Sequence, residues 1–196
     1  MINNLFNPGK IESNPIPQRN FWLALTVQLL MLGMIAAPVL YTRNTGTTVF
    51  LQTAPVDPYD LLRGYYQVLG YDISDRAMLK QLPGGEVLQK YQLGRHEFFL
   101  TLALPTTGER TAAKPIAVSI PQPANLPKNQ IAIRGIANGT HITYEIEKFY
   151  MPESEQQNVN SGIDRNRRKL LVETKIDSSG HPVLMRLWVG EKGYSF

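Results

Sequence analysis

The chain contains no cysteine, and its 196 residues carry few charges of either sign. The absence of cysteine excludes disulfide bonds, thiolate nucleophiles, iron–sulfur clusters and every zinc site that needs sulfur. Lys and Arg number 20 against 16 for Asp and Glu, and the resulting charge of +4 is too dilute for a nucleic-acid-binding stripe. A chain of this length has room for one globular domain and an appendage.

One stretch, residues 21–40, contains no charged side chain and reads FWLALTVQLLMLGMIAAPVL. A helix of that length, at ~1.5 Å per residue, covers ~30 Å, which is the thickness of the hydrocarbon core of a bilayer. The alternative of a buried core helix fits poorly, since such helices are seldom apolar over so long a run. The stretch predicts a transmembrane helix over residues 21–41, a leader over 1–20 and a domain over 42–196, with Pro38 expected to kink the last turn.

A cleaved signal peptide is the other reading of this stretch. Its apolar region would span only ~7–15 residues and end in small residues at alternate positions. The run here is longer and lacks that ending, which indicates an uncleaved anchor. Lys10 and Arg19 precede the run, whereas Arg43 alone follows it closely. The positive-inside rule therefore predicts a cytoplasmic N-terminus and a periplasmic or lumenal domain.

Beyond residue 42 the apolar residues recur with period two more often than 3.6, which is typical of half-buried strands. Two stretches favour helix, 74–82 with Ser74 as N-cap and 152–159. Asn138-Gly139 and Ser179-Gly180 are typical hairpin tips. We expect a mainly β domain, an antiparallel β sandwich or open barrel with one or two short helices. The predicted strands are 48–51, 65–72, 87–93, 97–104, 116–120, 130–137, 142–146, 170–177 and 183–189.

Prolines are concentrated in residues 105–129, which contain five of them. Proline cannot donate a hydrogen bond to a sheet ladder. The strand predicted over 116–120 is therefore expected at the edge of its sheet.

Residues 56–73 read VDPYDLLRGYYQVLGYDI. This stretch resembles the signature of the GDYXXLXY family of bacterial membrane-anchored proteins, in which D-P-x-D-x-x-R-G runs into G-D-Y-x-x-L-x-Y. Tyr65 stands where the family has its Asp, so a family role that rests on that acid does not carry over to this residue. The matching residues are Asp57, Pro58, Asp60, Arg63, Gly64, Tyr66, Leu69 and Tyr71.

Two further stretches resemble the same family. Residues 147–153 read EKFYMPE, similar to its E-x-[FY]-[FY]-x-P-E segment, and residues 172–187 resemble its closing hairpin. The resemblance implies a bacterial membrane-associated protein. The family has no established biochemical activity, and its members tend to accompany polytopic membrane proteins.

The signature has two physical readings. Its Asp and Gly residues are typical of successive turns that lead into a strand, with Leu69 and Tyr71 on one face of that strand. Alternatively, the segment binds a partner. The candidate residues for that role are Asp57, Asp60, Arg63, Gly64, Tyr65, Tyr66, Leu69 and Tyr71.

Residues 165–169 form the one dense charge cluster, RNRRK. Outside the cytoplasm its counterpart is an anionic lipid surface or an acidic partner, and the third reading is a solvated turn. Its charged members are Arg165, Arg167, Arg168 and Lys169.

Motifs for catalysis are not found in the sequence. Type I signal peptidases also join an anchor to a β domain, but they need a serine just after the anchor and a lysine base. No serine occurs from residue 14 to residue 73, and the first lysine after the anchor is Lys80. The three histidines are His96, His141 and His181; they lack the spacing of a metal site, so no cofactor or metal is predicted.

Three hypotheses of function follow. The first is an interaction or accessory module for a polytopic membrane protein, and the second is a binding domain for a small envelope ligand, a lipid or a glycan. The third is a hydrolase whose site is assembled from residues distant in sequence.

Overall fold

A computed structural model describes residues 18–53, 66–90, 94–106, 110–150 and 170–195. Within them the chain is mostly β, which confirms the predicted class. The helices are α1 (Gln18–Thr45), α2 (Arg76–Gln81) and α3 (Val87–Lys90). The strands are β1 (Thr47–Gln52), β2 (Tyr66–Val68), β3 (Arg95–Ala103), β4 (Lys114–Ser119), β5 (Gln130–Asn138), β6 (His141–Thr143), β7 (Lys148–Tyr150), β8 (Leu170–Ile176), β9 (Pro182–Val189) and β10 (Lys192–Tyr194).

Helix α1 is longer than the predicted membrane segment. It has 28 residues and a mean hydropathy of 2.1, enough in length and composition to cross a membrane. Its large apolar side chains are exposed, from 44% at Val27 to 75% at Ile35. Pro38 lies inside the helix, which continues to Thr45, so Pro38 is not in the last turn, and a kink at this residue stays a prediction. By its internal contacts the chain divides into two units, Met1–Pro38 and Val39–Phe196.

The strands of the second unit form two four-stranded antiparallel sheets and one two-stranded pair. The first sheet has the order β1-β8-β9-β10, the second has the order β4-β3-β5-β6, and β2 pairs with β7. Strand β4 lies at the edge of the second sheet, as its proline requires.

Both sheets contribute to one hydrophobic core. Alternate residues of β1 and β8 are buried, because successive side chains of a strand lie on opposite faces. Two backbone hydrogen bonds of 2.8 Å also connect the sheets: Ala113 N donates to Phe50 O, and Arg134 N donates to Gly180 O. The core side chains include Val49, Leu51, Val172 and Leu187 from the first sheet and Phe98, Leu100 and Ile133 from the second.

Several details of the prediction are wrong. Residues 87–93 were expected as a strand, but Val87–Lys90 is helix α3, held by hydrogen bonds such as Leu88 N to Gly85 O of 3.1 Å. The N-cap of α2 is Asp75 and not Ser74, since the Asp75 carboxylate accepts hydrogen bonds from the backbone of Ala77 and Met78. Ser74 instead ends a short 3₁₀ turn, Asp72–Ser74.

Two predicted strands are shorter than expected. The strand over 142–146 ends at Thr143, because Glu145 has a φ of +63°, which is incompatible with a continuous ladder. The strand over 65–72 is described only as Tyr66–Val68, with one further bridge between Tyr71 and Thr53. The predicted helix over 152–159 lies outside the described residues.

The end of α1 is joined to the turn between β8 and β9 through the Asp177 carboxylate. Thr42 Oγ1 donates to Asp177 Oδ2 at 2.8 Å, and both side chains are buried. The backbone N–H groups of Ser179 and His181 donate to Asp177 Oδ1 at 2.8 and 3.0 Å. Burial alone would raise the pKa of Asp177, yet these hydrogen bonds and the nearby His181 ring hold that pKa below its ordinary value.

We therefore predict a pH-dependent loss of stability in Asp177→Asn. The native pKa is lowered, so the carboxylate contributes stability above the ordinary aspartate pKa of about 4, and that contribution disappears as pH falls through the native pKa. At pH 7 the variant should unfold with a free energy about 1–3 kcal/mol smaller, as measured by denaturant titration of the full chain.

Asp72→Asn is the matched control. Burial raises the pKa of Asp72, so removing its charge is expected not to destabilise the fold at pH 7. Equal destabilisation by both substitutions would contradict a stabilising role of the Asp177 carboxylate. So would a loss of unfolding free energy in Asp177→Asn that persists at low pH.

Candidate functional site

The signature segment lies partly in the core. Leu69 is 3% exposed and Tyr71 is 2% exposed, so both belong to the hydrophobic core. Tyr66 begins β2, and only its backbone is described. The remaining candidates lie outside the described residues: Asp57, Asp60, Arg63, Gly64, Tyr65, Arg165, Arg167, Arg168 and Lys169.

The two segments that resemble the family signature pair with each other. Strand β2 runs antiparallel to β7, with Tyr66 opposite Tyr150 and Val68 opposite Lys148. The ladder continues beyond the strands, since Leu69 N donates to Glu147 O at 2.7 Å. Residues about 80 positions apart therefore form one local structure.

Two buried tyrosines hold this structure by reciprocal hydrogen bonds. Tyr71 OH donates to the carbonyl of Ile146 at 2.8 Å, and Tyr144 OH donates to the carbonyl of Ile73 at 2.6 Å. Burial, with a further contribution from the charge of Glu147, raises the pKa of both phenols well above the ordinary value. Both hydroxyls thus stay protonated at neutral pH and act as permanent donors.

The outer face of the first sheet carries an aromatic and cationic cluster around Trp188. The Arg110 guanidinium lies 4.2 Å from the centre of the Trp188 ring, and that of Arg186 lies 5.3 Å from it. Trp188 Nε1 donates to Glu173 Oε2 at 2.9 Å, and Arg186 donates to the same oxygen at 3.3 Å. We call this surface, comprising Arg110, Glu173, Arg186 and Trp188, the tryptophan face.

Gly193 makes room for the tryptophan ring. It pairs with Trp188 across β9 and β10. A Cβ atom at this position would lie 2.7 Å from Arg186 Cδ and 2.9 Å from the Trp188 ring. The ring is therefore packed against the backbone of β10, and its position is defined.

A cavity of about 520 Å³ adjoins the tryptophan face and the end of the signature segment. This volume is in the range of small-molecule sites. Burial raises the pKa of the Asp72 carboxyl on its wall, while Arg110 and Lys114 supply positive charge. Lys114 forms no ion pair within the described residues. The lining residues are Gln52, Asp72, Ile73, Met78, Arg110, Thr111, Ala112, Ala113, Lys114, Pro115 and Leu171.

The described residues contain no group of three or more His, Cys, Asp or Glu side chains that could hold a metal ion. His181 lies beside Asp177, with 3.7 Å between Nδ1 and Oδ2. His96 lies in β3 and His141 begins β6, so these three side chains belong to different elements.

Sequence reasoning missed the roles of Trp188 and Asp177. The alternation in β9 places Trp188 on the face opposite Leu187, which is a signal for an outward aromatic residue. Nothing in the sequence, however, indicates that Arg110 from another loop stacks on it. Asp177 was recognised only as part of a turn, because its partner Thr42 is 135 residues away.

We predict that Tyr144→Phe and Tyr71→Phe each reduce the free energy of unfolding by about 1–2 kcal/mol, because each leaves a buried carbonyl without its hydroxyl donor. The double variant should lose less than the sum of the two, since both bonds join the same chain segments. Denaturant unfolding of the full chain measures this. The control is Tyr41→Phe, an exposed tyrosine; the prediction fails if all three variants have the same stability.

Comparison with known proteins supports the resemblance seen in the signature. No curated protein and no solved structure matches the chain. The family model described as GDYXXLXY protein matches residues 28–187. That match begins inside α1 and ends in β9, so it covers most of the apolar helix and both sheets except the end of β9 and β10. The chain belongs to the GDYXXLXY family.

Proposed function

We propose that the protein is a single-pass bacterial membrane protein whose β domain is an interaction or accessory module for a polytopic membrane protein. In this proposal the N-terminus is cytoplasmic, residues 42–196 are periplasmic or lumenal, and the two sheets enclose the core as a sandwich or open barrel. The observation that carries the proposal is the unpartnered apolar surface of α1.

The composition of α1 favours a membrane over water. The helix is apolar on all sides, and a helix of this kind is stable in a hydrocarbon environment or a protein core. None of its most apolar window is buried within the chain. A bilayer supplies the missing apolar environment over ~20 residues.

We predict that Leu30→Arg, near the middle of α1, impairs membrane insertion. A charged residue at the centre of a spanning helix costs about 2.5–3.5 kcal/mol on insertion scales. Carbonate extraction of membranes should release a large part of the variant but little of the natural chain. Asn44→Arg, at the exposed end of α1, is the matched control. If carbonate released the natural chain to the same extent as Leu30→Arg, an integral anchor would be ruled out.

The tryptophan face supports the interaction role. Trp and Arg dominate the energetic centres of protein interfaces, because they combine large contact areas with defined hydrogen-bonding geometry. Trp188 is half-buried and held in place by Gly193, so little conformational entropy is lost when a partner covers it. Its neighbours Arg110 and Arg186 pair with Glu191 and Glu173, so the face offers a partner an apolar centre surrounded by charges of both signs.

Small-ligand binding is the second candidate function. The cavity of about 520 Å³ carries it, because its walls combine an apolar lining with a few charged groups. Asp72 and Ile73 directly follow Tyr71 of the signature. Tyr71 itself lies in the core and does not line this cavity.

We predict that Trp188→Ala weakens capture of the membrane partner about thirtyfold, the equivalent of ~2 kcal/mol for an interface centre. The measurement is quantitative co-purification of the full chain from mild detergent. Arg95→Ala removes an exposed arginine of the second sheet and should leave capture unchanged. Purification of the natural chain without any associated membrane protein, or equal capture by both variants, would refute the interaction role.

A further inference from the structure

A second cavity, of about 400 Å³, lies within the unit Val39–Phe196, and the end of α1 forms part of its wall. Its walls come from the end of α1, the start of β1, the loop after β4, the start of β5 and the turn after β8. The lining residues are Tyr41, Thr45, Thr47, Gln122, Pro123, Asn125, Leu126, Gln130, Ile131, Ala132, Ile176, Asp177 and Ser178.

The polar groups of this cavity are almost all uncharged. Side-chain amides come from Gln122, Asn125 and Gln130, and hydroxyls come from Tyr41, Thr45, Thr47 and Ser178. No Lys or Arg is among its described lining residues. Within the described residues the amides of Asn125 and Gln130 form no side-chain hydrogen bond, so each has free donors and an acceptor.

Asp177 is the one acid of the lining. It is ionised, and both of its oxygens already accept hydrogen bonds from this chain. Its oxygens accept hydrogen bonds from Thr42, Ser179 and His181. A carboxylate without a lining cation disfavours a phosphate or another anion in the same cavity. Three cations on the surrounding elements, Lys128, Lys175 and Arg43, are not among the lining residues, and Lys175 Nζ donates to the Arg43 carbonyl at 2.8 Å.

The cavity also lies at the depth of lipid headgroups if α1 spans the membrane as proposed above. The apolar run ends at Leu40, and Tyr41 and Thr45 follow by one and five residues. At ~1.5 Å per residue these positions are about 1.5 and 7.5 Å beyond the end of the run along the helix axis. The polar layer on each side of the hydrocarbon core is several ångströms thick.

We infer that this cavity binds the neutral, sugar-bearing headgroup of a membrane glycolipid. Sugar hydroxyls both donate and accept hydrogen bonds, which matches a lining of amides and hydroxyls. The Tyr41 ring, 57% exposed, offers an apolar face with a polar tip at this depth. The inference rests on the proposed membrane anchor, because the lipid reaches the cavity only from the bilayer that α1 crosses.

The test uses the full chain in nanodiscs of three compositions: phosphatidylcholine alone, the same lipid with monohexosyl diacylglycerol, and the same lipid with phosphatidylglycerol. Retained lipids are counted by native mass spectrometry. The natural chain should retain the hexosyl lipid preferentially. Gln130→Leu and Thr47→Val each remove a lining polar group and should weaken that retention about fivefold, as expected for one lost hydrogen bond.

Gln89→Leu, the same substitution at an exposed glutamine of α3, is the matched control and should retain the lipid normally. Preferential retention of phosphatidylglycerol, or retention that both cavity variants leave unchanged, would overturn the inference.

Failure of the anchor gives a different result, because the chain then does not co-purify with nanodiscs at all. In that case titration of the chain with methyl β-hexoside, followed by NMR, tests the cavity alone: binding that Gln130→Leu weakens supports the sugar site, and absence of binding refutes it.

Discussion

The reciprocal hydrogen bonds of Tyr71 and Tyr144 are the interaction on which the domain depends. Tyr71 forms a bridge with Thr53 at the end of β1 and so extends the first sheet. Tyr144 follows β6 of the second sheet, and its ring meets that of Phe98 edge to face at 6.1 Å. Each phenol donates to the backbone carbonyl two residues after the other tyrosine. The pair therefore connects the two sheets through the signature segment. Both donors are buried, where an unsatisfied carbonyl is costly.

The same arrangement requires a glycine in β5. A Cβ atom on Gly135 would lie 2.5 Å from the Phe98 ring and 2.9 Å from the Tyr144 ring. These contacts are shorter than van der Waals distances, so any larger residue would displace one ring. The signature tyrosine, the second tyrosine and this glycine therefore form one packing unit, although they are far apart in sequence.

Features that depend on residues close together in the sequence can be predicted from it, whereas contacts between residues distant in the sequence cannot. Alternation along one strand predicts β1, β3, β5, β8 and β9, because the inward residues of each, such as Leu100 and Leu187, are recognised locally. Helix α3 was not predictable in this way: it has four residues, and only Leu88 of them is buried, so no period is visible. The Thr42–Asp177 bond and the stacking of Arg110 on Trp188 join distant segments, and local patterns contain no information about such pairs.

The departure at Tyr65 acquires a clearer meaning from these contacts. Among the signature residues, Leu69 and Tyr71 supply the buried area and the hydrogen bond to Ile146. Neither contact needs an acid at position 65, so replacing the family's Asp with Tyr preserves the part of the signature that builds the core. The charged groups of the tryptophan face come instead from Arg110, Glu173 and Arg186, which lie outside the signature. The residues that build the core around the tyrosine pair are thus separate from those that form the tryptophan face, on which the proposed interaction role rests.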